Sequence, residues 1–166
     1  MEKGISVVVV TYNRPKDVME TINSLLNQSY KPLEIIVIDD GSDHPLNLKL
    51  SIKNLVLMRF DEEVGLSSAR NFGVRIAKGD YVAFIDDDAI ADKHWLEEIK
   101  NGIDMGYDIL GGPVKPIYEV PPPKWWDEEL FGGYVGVGNL RKKYIYGANM
   151  VIKRMFLERL AYFDLK

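Results

Sequence analysis

Apolar positions along the chain alternate between short dense runs and longer, spaced patterns. Ile5–Val10 is β-branched almost throughout, which suits a strand buried on both faces. Val18, Ile22, Leu25 and Leu26 then recur at helical spacing to about Gln28, with Asn13 or Arg14 as cap and Pro15 in the first turn. Leu33–Ile38 is a second strand, stopped by the acidic turn Asp39-Asp40-Gly41-Ser42-Asp43. A short helix is expected over 45–53 and a third strand over Leu55–Phe60. The spacing predicts a helix from Gly65 to Ala77, with Leu66, Ala69, Gly73 and Ile76 on one face and Gly79 as its stop. Tyr81–Ile85 is a fourth strand. Asp92 can cap a helix carrying Trp95, Leu96, Ile99 and Ile103, ending near Gly106. Strands over 108–114 and 144–151 and a helix over 154–162 complete the pattern.

Strand–helix alternation with short loops predicts an α/β domain built on a mostly parallel sheet flanked by helices. No internal repeat or linker divides the chain, so residues 1–166 form one domain. The rhythm breaks after Gly111. Pro113, Pro116 and Pro121-Pro122-Pro123 forbid regular helix, and Trp125-Trp126 and a glycine-rich stretch from Gly132 to Gly138 follow. An irregular excursion of about 30 residues in a compact domain is a functional candidate.

Composition changes the picture only by exclusion. The 166 residues are 46% hydrophobic and 28% charged, an ordinary globular balance. A net charge of −4 gives no reason to expect nucleic acid. With no cysteine, thiolate catalysis, disulfides and cysteine-ligated metals are excluded. No apolar run nears the roughly 20 residues of a membrane span. A cytoplasmic protein is expected, with peripheral membrane attachment or oligomerisation compatible.

The chemistry gathers where apolar runs stop. Thr11–Arg14, Asp39–Asp43 and Asp86–Asp88 each follow a strand. In open parallel sheets, ligands bind outside the carboxyl ends of strands. Three adjacent carboxylates repel one another unless a positive group joins them. There is no G-x-G-x-x-G after the first strand and no G-x-x-x-x-G-K-[ST]. Phosphates would then be neutralised by a metal on Asp88, helped by Asp86. Oxygen-only ligands favour Mn2+ or Mg2+.

These residues carry a resemblance. S-V-V-V-V-T-Y-N-R from Ser6, L-L-N-Q-S-Y from Leu25, V-I-D-D-G-S from Val37, G-L-S-S-A-R-N from Gly65, F-I-D-D-D from Phe84 and Y-G-A-N-M from Tyr146 are similar, in order, to the motifs of glycosyltransferase family 2. The resemblance implies the GT-A fold, a Rossmann-like sheet, and metal-dependent, inverting transfer of a sugar from a nucleotide diphosphate donor. The donor would be of the UDP, GDP or dTDP type, and the acceptor a glycan, a lipid-linked glycan or a protein. Residues 1–112 would be the nucleotide-sugar-binding half and 113–166 a partial acceptor-side half.

The implied substrate-binding set is Val10, Thr11, Tyr12, Arg14, Asp39, Asp40, Gly65, Ala69, Arg70, Asp86, Asp87 and Asp88. Within it, Thr11, Tyr12 and Arg14 line the base pocket, Asp40 with Asp39 meets the nucleoside, and Arg70 approaches the phosphates or sugar. Asp86-Asp87-Asp88 is the D-x-D motif. Asp88 is the metal ligand, Asp86 a further ligand or sugar contact, and Asp87 faces solvent. On the acceptor side stand Trp125 and Trp126, which either stack on a sugar ring or plug the core, and Gly147, Ala148 and Asn149.

One departure is expected to matter. The family's catalytic base comes from an acidic motif downstream of the matched segment, so it is expected beyond Lys166. Glu158 and Asp164 lack that context, and Glu158 belongs on a solvent face. The alternative reading is a module that binds nucleotide-sugar without transferring it. His44 and His94 have no matching metal partners. A dehalogenase-type phosphatase, suggested by I-D-D-G-S, conflicts with the first strand ending in T-Y-N-R.

Overall fold

The structure is a computed structural model that describes residues 3–47, 52–118, 120–126, 145–159 and 163. Its elements are β1 (Ile5–Thr11), α1 (Pro15–Leu26), β2 (Glu34–Asp39), β3 (Leu55–Arg59), α2 (Leu66–Ile76), β4 (Tyr81–Ile85), α3 (Trp95–Asp104), β5 (Ile109–Gly111), β6 (Asn149–Lys153) and α4 (Arg154–Arg159). The strands form one six-stranded sheet in the order β3-β2-β1-β4-β6-β5. β1 is parallel to β2 and β4, and β2 to β3, while β6 runs antiparallel to both neighbours. The predicted α/β class and mostly parallel sheet are therefore observed.

Alternating side chains of the inner strands go to opposite faces. Val7, Val9, Ile35 and Val37 join Val18, Ile22 and Leu25 of α1 and Leu96, Ile99 and Ile103 of α3. Val8, Ile36, Ile38, Val82 and Phe84 join Ala69 and Val74 of α2 and Leu157 of α4. Burial on both faces explains why β1, β2 and β4 read as unbroken apolar runs rather than alternating ones.

Several boundaries differ from expectation. Residues 45–47, 52 and 53 are not helical, and 48–51 lie outside the described residues. The α2 face is Ala69, Gly73, Val74 and the partly buried Ile76, while Leu66 is half exposed. Gly73 is required there because a Cβ would sit 2.6 Å from Val8 Cγ1. Gly79 does not act as a helix stop, since α2 ends at Ile76 with Ala77 extended. Instead, a Cβ at Gly79 would meet the Ser6 backbone nitrogen at 2.7 Å. The strand expected over 108–114 shrinks to β5, because Gly112 and Pro113 end it. The strand expected over 144–151 begins only at Asn149, after a turn. The helix expected over 154–162 is described to Arg159. Among the described residues, no helix is long and apolar enough to cross a membrane.

Candidate functional site

β1 has β2 and β3 on one side and β4 on the other. The connection reverses direction there, so a crevice opens between the carboxyl ends of β1 and β4. Thr11 ends β1, and Asp86–Asp88 follow β4 directly. The crevice is bridged by hydrogen bonds. Thr11 Oγ1 donates to Asp87 Oδ2 at 2.7 Å. Thr21 Oγ1 on α1 lies 2.8 Å from the carbonyl oxygens of Asp87 and Ala89.

The β1 loop is tied equally firmly to the β2 loop. Asn13 has φ +57°, a left-handed conformation that asparagine tolerates better than most residues. Its N–H donates to Ser42 Oγ at 2.9 Å, and its Oδ1 accepts from the Asp43 N–H at 2.9 Å. The three polar clusters are thus one interlocked rim rather than three separate loops.

Asp39 and Asp40 organise that rim from below, being 1% and 3% exposed. Asp39 accepts from the Ser42 N–H at 2.9 Å, the Leu46 N–H at 3.2 Å and Arg59 Nη1 at 2.7 Å. Burial alone would raise its carboxyl, but these donors outweigh burial and hold it below the usual carboxylate value. Asp40 takes the Val64 N–H at 2.9 Å on one oxygen and the Gly65 N–H at 3.0 Å on the other. It thereby fixes the turn that starts α2, where Gly65 has φ +86°. Both carboxylates are primarily loop organisers, and neither is openly presented to a ligand.

The three aspartates after β4 are unequal. Asp87 does not face solvent. Its side chain is 13% exposed, against 40% for Asp86 and 53% for Asp88. Burial pushes the Asp87 carboxyl up, opposed by the Thr11 hydroxyl and Arg14. Asp88 is paired with Arg14, which also lies 3.8 Å from Asp87. The hydrogen bond and charge of Asp88 raise the Arg14 guanidinium above its usual value.

Asp86 is paired with Arg70 Nη2 at 2.9 Å. Arg70 is largely buried, which lowers its guanidinium, while Asp86 opposes that shift. It lies over the Phe84 ring at 5.8 Å and also donates to the Gly147 carbonyl at 3.3 Å. A Cβ at Gly147 would stand 2.7 Å from Arg70 Nη1. The turn before β6 thus closes directly against the guanidinium, and a side chain there would have to displace it.

Other expected site residues are placed less directly. Tyr12 is 41% exposed at the rim. Val10 packs half-buried on the α2 side of the sheet. Ala69 is 0% exposed in that same core, where it packs α2 on the sheet. Asn149 Oδ1 accepts from Trp95 Nε1 at 2.9 Å. Trp125 does not plug the core, being 70% exposed, with its ring 6.3 Å from that of Trp126. Trp126 is half-buried and donates from Nε1 to the Tyr118 hydroxyl at 2.8 Å. Ala148 is half-buried in the turn. Gly132 to Gly138 and Asp164 lie outside the described residues.

Glu158 pairs with Arg154 at 2.8 Å, and Arg154 donates to the Gly79 carbonyl, at the opposite end of β4 from the crevice. This placement removes Glu158 from the acceptor chemistry. Asn13 and Ser42 lie inside the predicted clusters without an assigned site role, and Thr21 and Arg59 build the rim from outside them. Only Asn13 carried a signal, through its tolerance of left-handed backbone.

Among the described residues, no group of three His, Cys, Asp or Glu side chains converges on a metal position. The described residues therefore offer no closed cage of the zinc type. The donor set does suit Mg2+ or Mn2+, which take one or two carboxylates and complete their shell with water and phosphate. Asp88 and Asp86 are the two exposed carboxylates at the crevice, each paired with an arginine.

The fold and crevice define a GT-A-type α/β domain. The model of the family "Glycosyl transferase family 2" matches residues 6–161, and the chain belongs to that family. It is 34% identical to glucosyl-dolichyl phosphate glucuronosyltransferase from Haloferax volcanii, over 93% of this chain and 54% of that protein. It is 27% identical to an uncharacterized glycosyltransferase of Rickettsia typhi, over 96% of this chain and 53% of the relative. The chain thus spans about half the length of these curated relatives. Among solved structures, S. aureus TarS 1–349 in complex with UDP superposes with a TM-score of 0.74 at 25% identity, covering 98% of this chain and 50% of that one. A mannosyltransferase from Pyrobaculum calidifontis, in complex with GDP-Man and Mn2+, has a TM-score of 0.73 at 23% identity, covering 100% and 49%. At that identity, the likeness concerns the fold.

Proposed function

We propose that this chain holds a nucleoside diphosphate sugar in the β1/β4 crevice and serves inverting sugar transfer with Mn2+ or Mg2+. The carrying observation is the interlocked rim, in which one hydrogen-bonded network joins three strand ends around Asp88, Arg14 and Arg70. The likeness to TarS makes UDP the first nucleotide to test.

In this reading, the nucleoside lies toward Tyr12 and the β2 loop, whose shape Asp39 and Asp40 maintain. The diphosphate lies toward Arg14, Arg70 and the aspartates. Asp88 and Asp86 would hold the divalent ion, which when bound stabilises negative charge on the leaving diphosphate. The acceptor oxygen forms a bond to the anomeric carbon from the face opposite the diphosphate. The anomeric carbon–oxygen bond breaks, and its electron pair leaves with the nucleoside diphosphate. The acceptor proton passes to a general base. Glu158 is at the wrong end of β4 for that role, and no residue is assigned to it.

This last observation supports a second reading, in which these residues bind the donor without completing transfer. Calorimetric titration with UDP, GDP and dTDP, with and without Mn2+, tests the shared part. Metal-enhanced binding lost in Asp88→Ala is expected. Binding indifferent to both metal and Asp88 would refute the proposal. Transfer to any acceptor by the chain alone would eliminate the binding-only reading.

A further inference from the structure

Two arginines meet the acidic strand end, and they are held very differently. Arg70 is 14% exposed, fixed between Asp86 and the Gly147 carbonyl, with Phe84 beneath it. Arg14 is 48% exposed, and its partner Asp88 is 53% exposed. An ion pair this open to water is weakly held.

The backbone under Arg14 is nevertheless rigid. Its carbonyl accepts from the Val18 N–H at 3.1 Å in the first turn of α1. The preceding Asn13 is pinned to Ser42 and Asp43. Among the described residues, the half-exposed Arg14 side chain is held only by the aspartates. A cavity of about 420 Å³ lined by Arg14, Asp17, Asp88 and Ile90, among others, opens beside it.

We propose that Arg14 is a positioning residue acting as a tethered counterion. It neutralises Asp88 while the crevice is without ligand, yields that carboxylate to a divalent cation, and passes its guanidinium to the diphosphate of the donor. This inference rests on the metal-assisted reading above.

Asp86, Asp87 and Asp88 stand in a row, and without a cation the outer carboxylate would repel its neighbours. Arg14 supplies that charge from within the chain. A dication on Asp88 cannot share the carboxylate with a guanidinium in contact without strong like-charge repulsion. The displaced side chain then finds its complement in the incoming diphosphate, whose oxygens match the guanidinium fork. The fixed Arg70 cannot take this part, because release would leave a buried charge.

The inference predicts opposite signs for two affinities. Mn2+ alone is titrated into the chain and into Arg14→Gln, with free Mn2+ followed by electron paramagnetic resonance. Arg14→Gln is expected to bind Mn2+ about tenfold more tightly, since one competing charge and one exposed ion pair are gone. UDP, titrated at saturating Mn2+, is expected to bind Arg14→Gln about tenfold more weakly. Arg14→Lys keeps the charge without the fork, so its Mn2+ affinity stays near wild type and its UDP affinity falls between. Damage to the fold would weaken both ligands together, so the crossed signs separate this role from a structural one. Mn2+ binding equally to wild type and Arg14→Gln, or more weakly to the variant, overturns the inference alone. Unchanged UDP affinity overturns the transfer to diphosphate. Mn2+ binding to neither protein in the absence of nucleotide overturns the inference, and Mn2+ binding to neither even with UDP present overturns the metal-assisted reading as well.

Discussion

Substituting Asn for Asp39 keeps the shape and removes the charge. Asp39 gives one oxygen to the Ser42 N–H at 2.9 Å and the other to the Leu46 N–H at 3.2 Å and Arg59 Nη1 at 2.7 Å. The asparagine Oδ1 can retain Ser42. Its NH2 then faces two donors and can accept from neither. One charge-assisted bond at about 1.5–3 kcal/mol and one neutral bond at about 1 kcal/mol are lost, giving about 2.5–4 kcal/mol. Because Arg59 is 32% exposed, water relieves part of its unpairing, and the lower end of that range is expected. With a urea slope of about 2 kcal/mol/M, the midpoint falls by about 1.2 M.

The pH dependence has a definite sign. A carboxyl depressed in the folded state stabilises fully above its unfolded value, here 3.8, and loses that contribution as pH falls through its lower folded value. The gap between wild type and Asp39→Asn should therefore be complete at pH 7 and narrow below about pH 4. Urea unfolding followed by circular dichroism at pH 7 and pH 3.5 measures both. Adding Arg59→Met closes a double-mutant cycle, and most of the loss should appear as coupling. A midpoint shift under about 0.3 M at pH 7 would refute the assignment of Asp39 as the internal anchor of the β2 loop.

Three other outcomes follow from the packing. Gly147→Ala places a methyl group 2.7 Å from Arg70 Nη1 and should weaken metal-dependent UDP binding about tenfold, with little change in melting temperature, as read by calorimetry and thermal melts. Gly73→Ala should destabilise by about 1–3 kcal/mol, because its methyl meets a β-branched side chain held in a central strand; Gly102→Ala meets only the flexible tip of Leu110 and should cost less, a ranking that melts can check. Trp95→Phe removes the Nε1 hydrogen bond to Asn149 and should cost about 1–2 kcal/mol in urea unfolding.

Much of the architecture is legible locally. β1, β2 and β4 announce themselves because strands buried on both faces are apolar throughout, and the aspartates after Ile85 mark where the buried strand ends. The unequal roles inside the clusters are not local. Asp87 looks like its neighbours in sequence, yet Thr11, from a strand far along the chain, turns it inward. Nothing near Asp39 in the sequence signals that Arg59 on the neighbouring strand pairs with it. Gly79 reads as a helix stop, whereas the close pass of β1 demands it. Ala69 stands within a binding motif, but its position on the α2 face sends it into the core.

The placement of β6 has a consequence for how the chain reaches this state. β5 is made soon after α3, but its sheet partner is β6, not the earlier β4. Until Asn149–Lys153 has been synthesised, β4 presents an open hydrogen-bonding edge and β5 has no neighbour in the sheet. An unpaired edge invites intermolecular pairing. The nascent chain should thus pass through an aggregation-prone interval after residue 111, closed when one late strand slides into the gap and joins both edges. Shielding from a ribosome-associated chaperone would matter most in that interval, and slowed translation between those two strands would lengthen it.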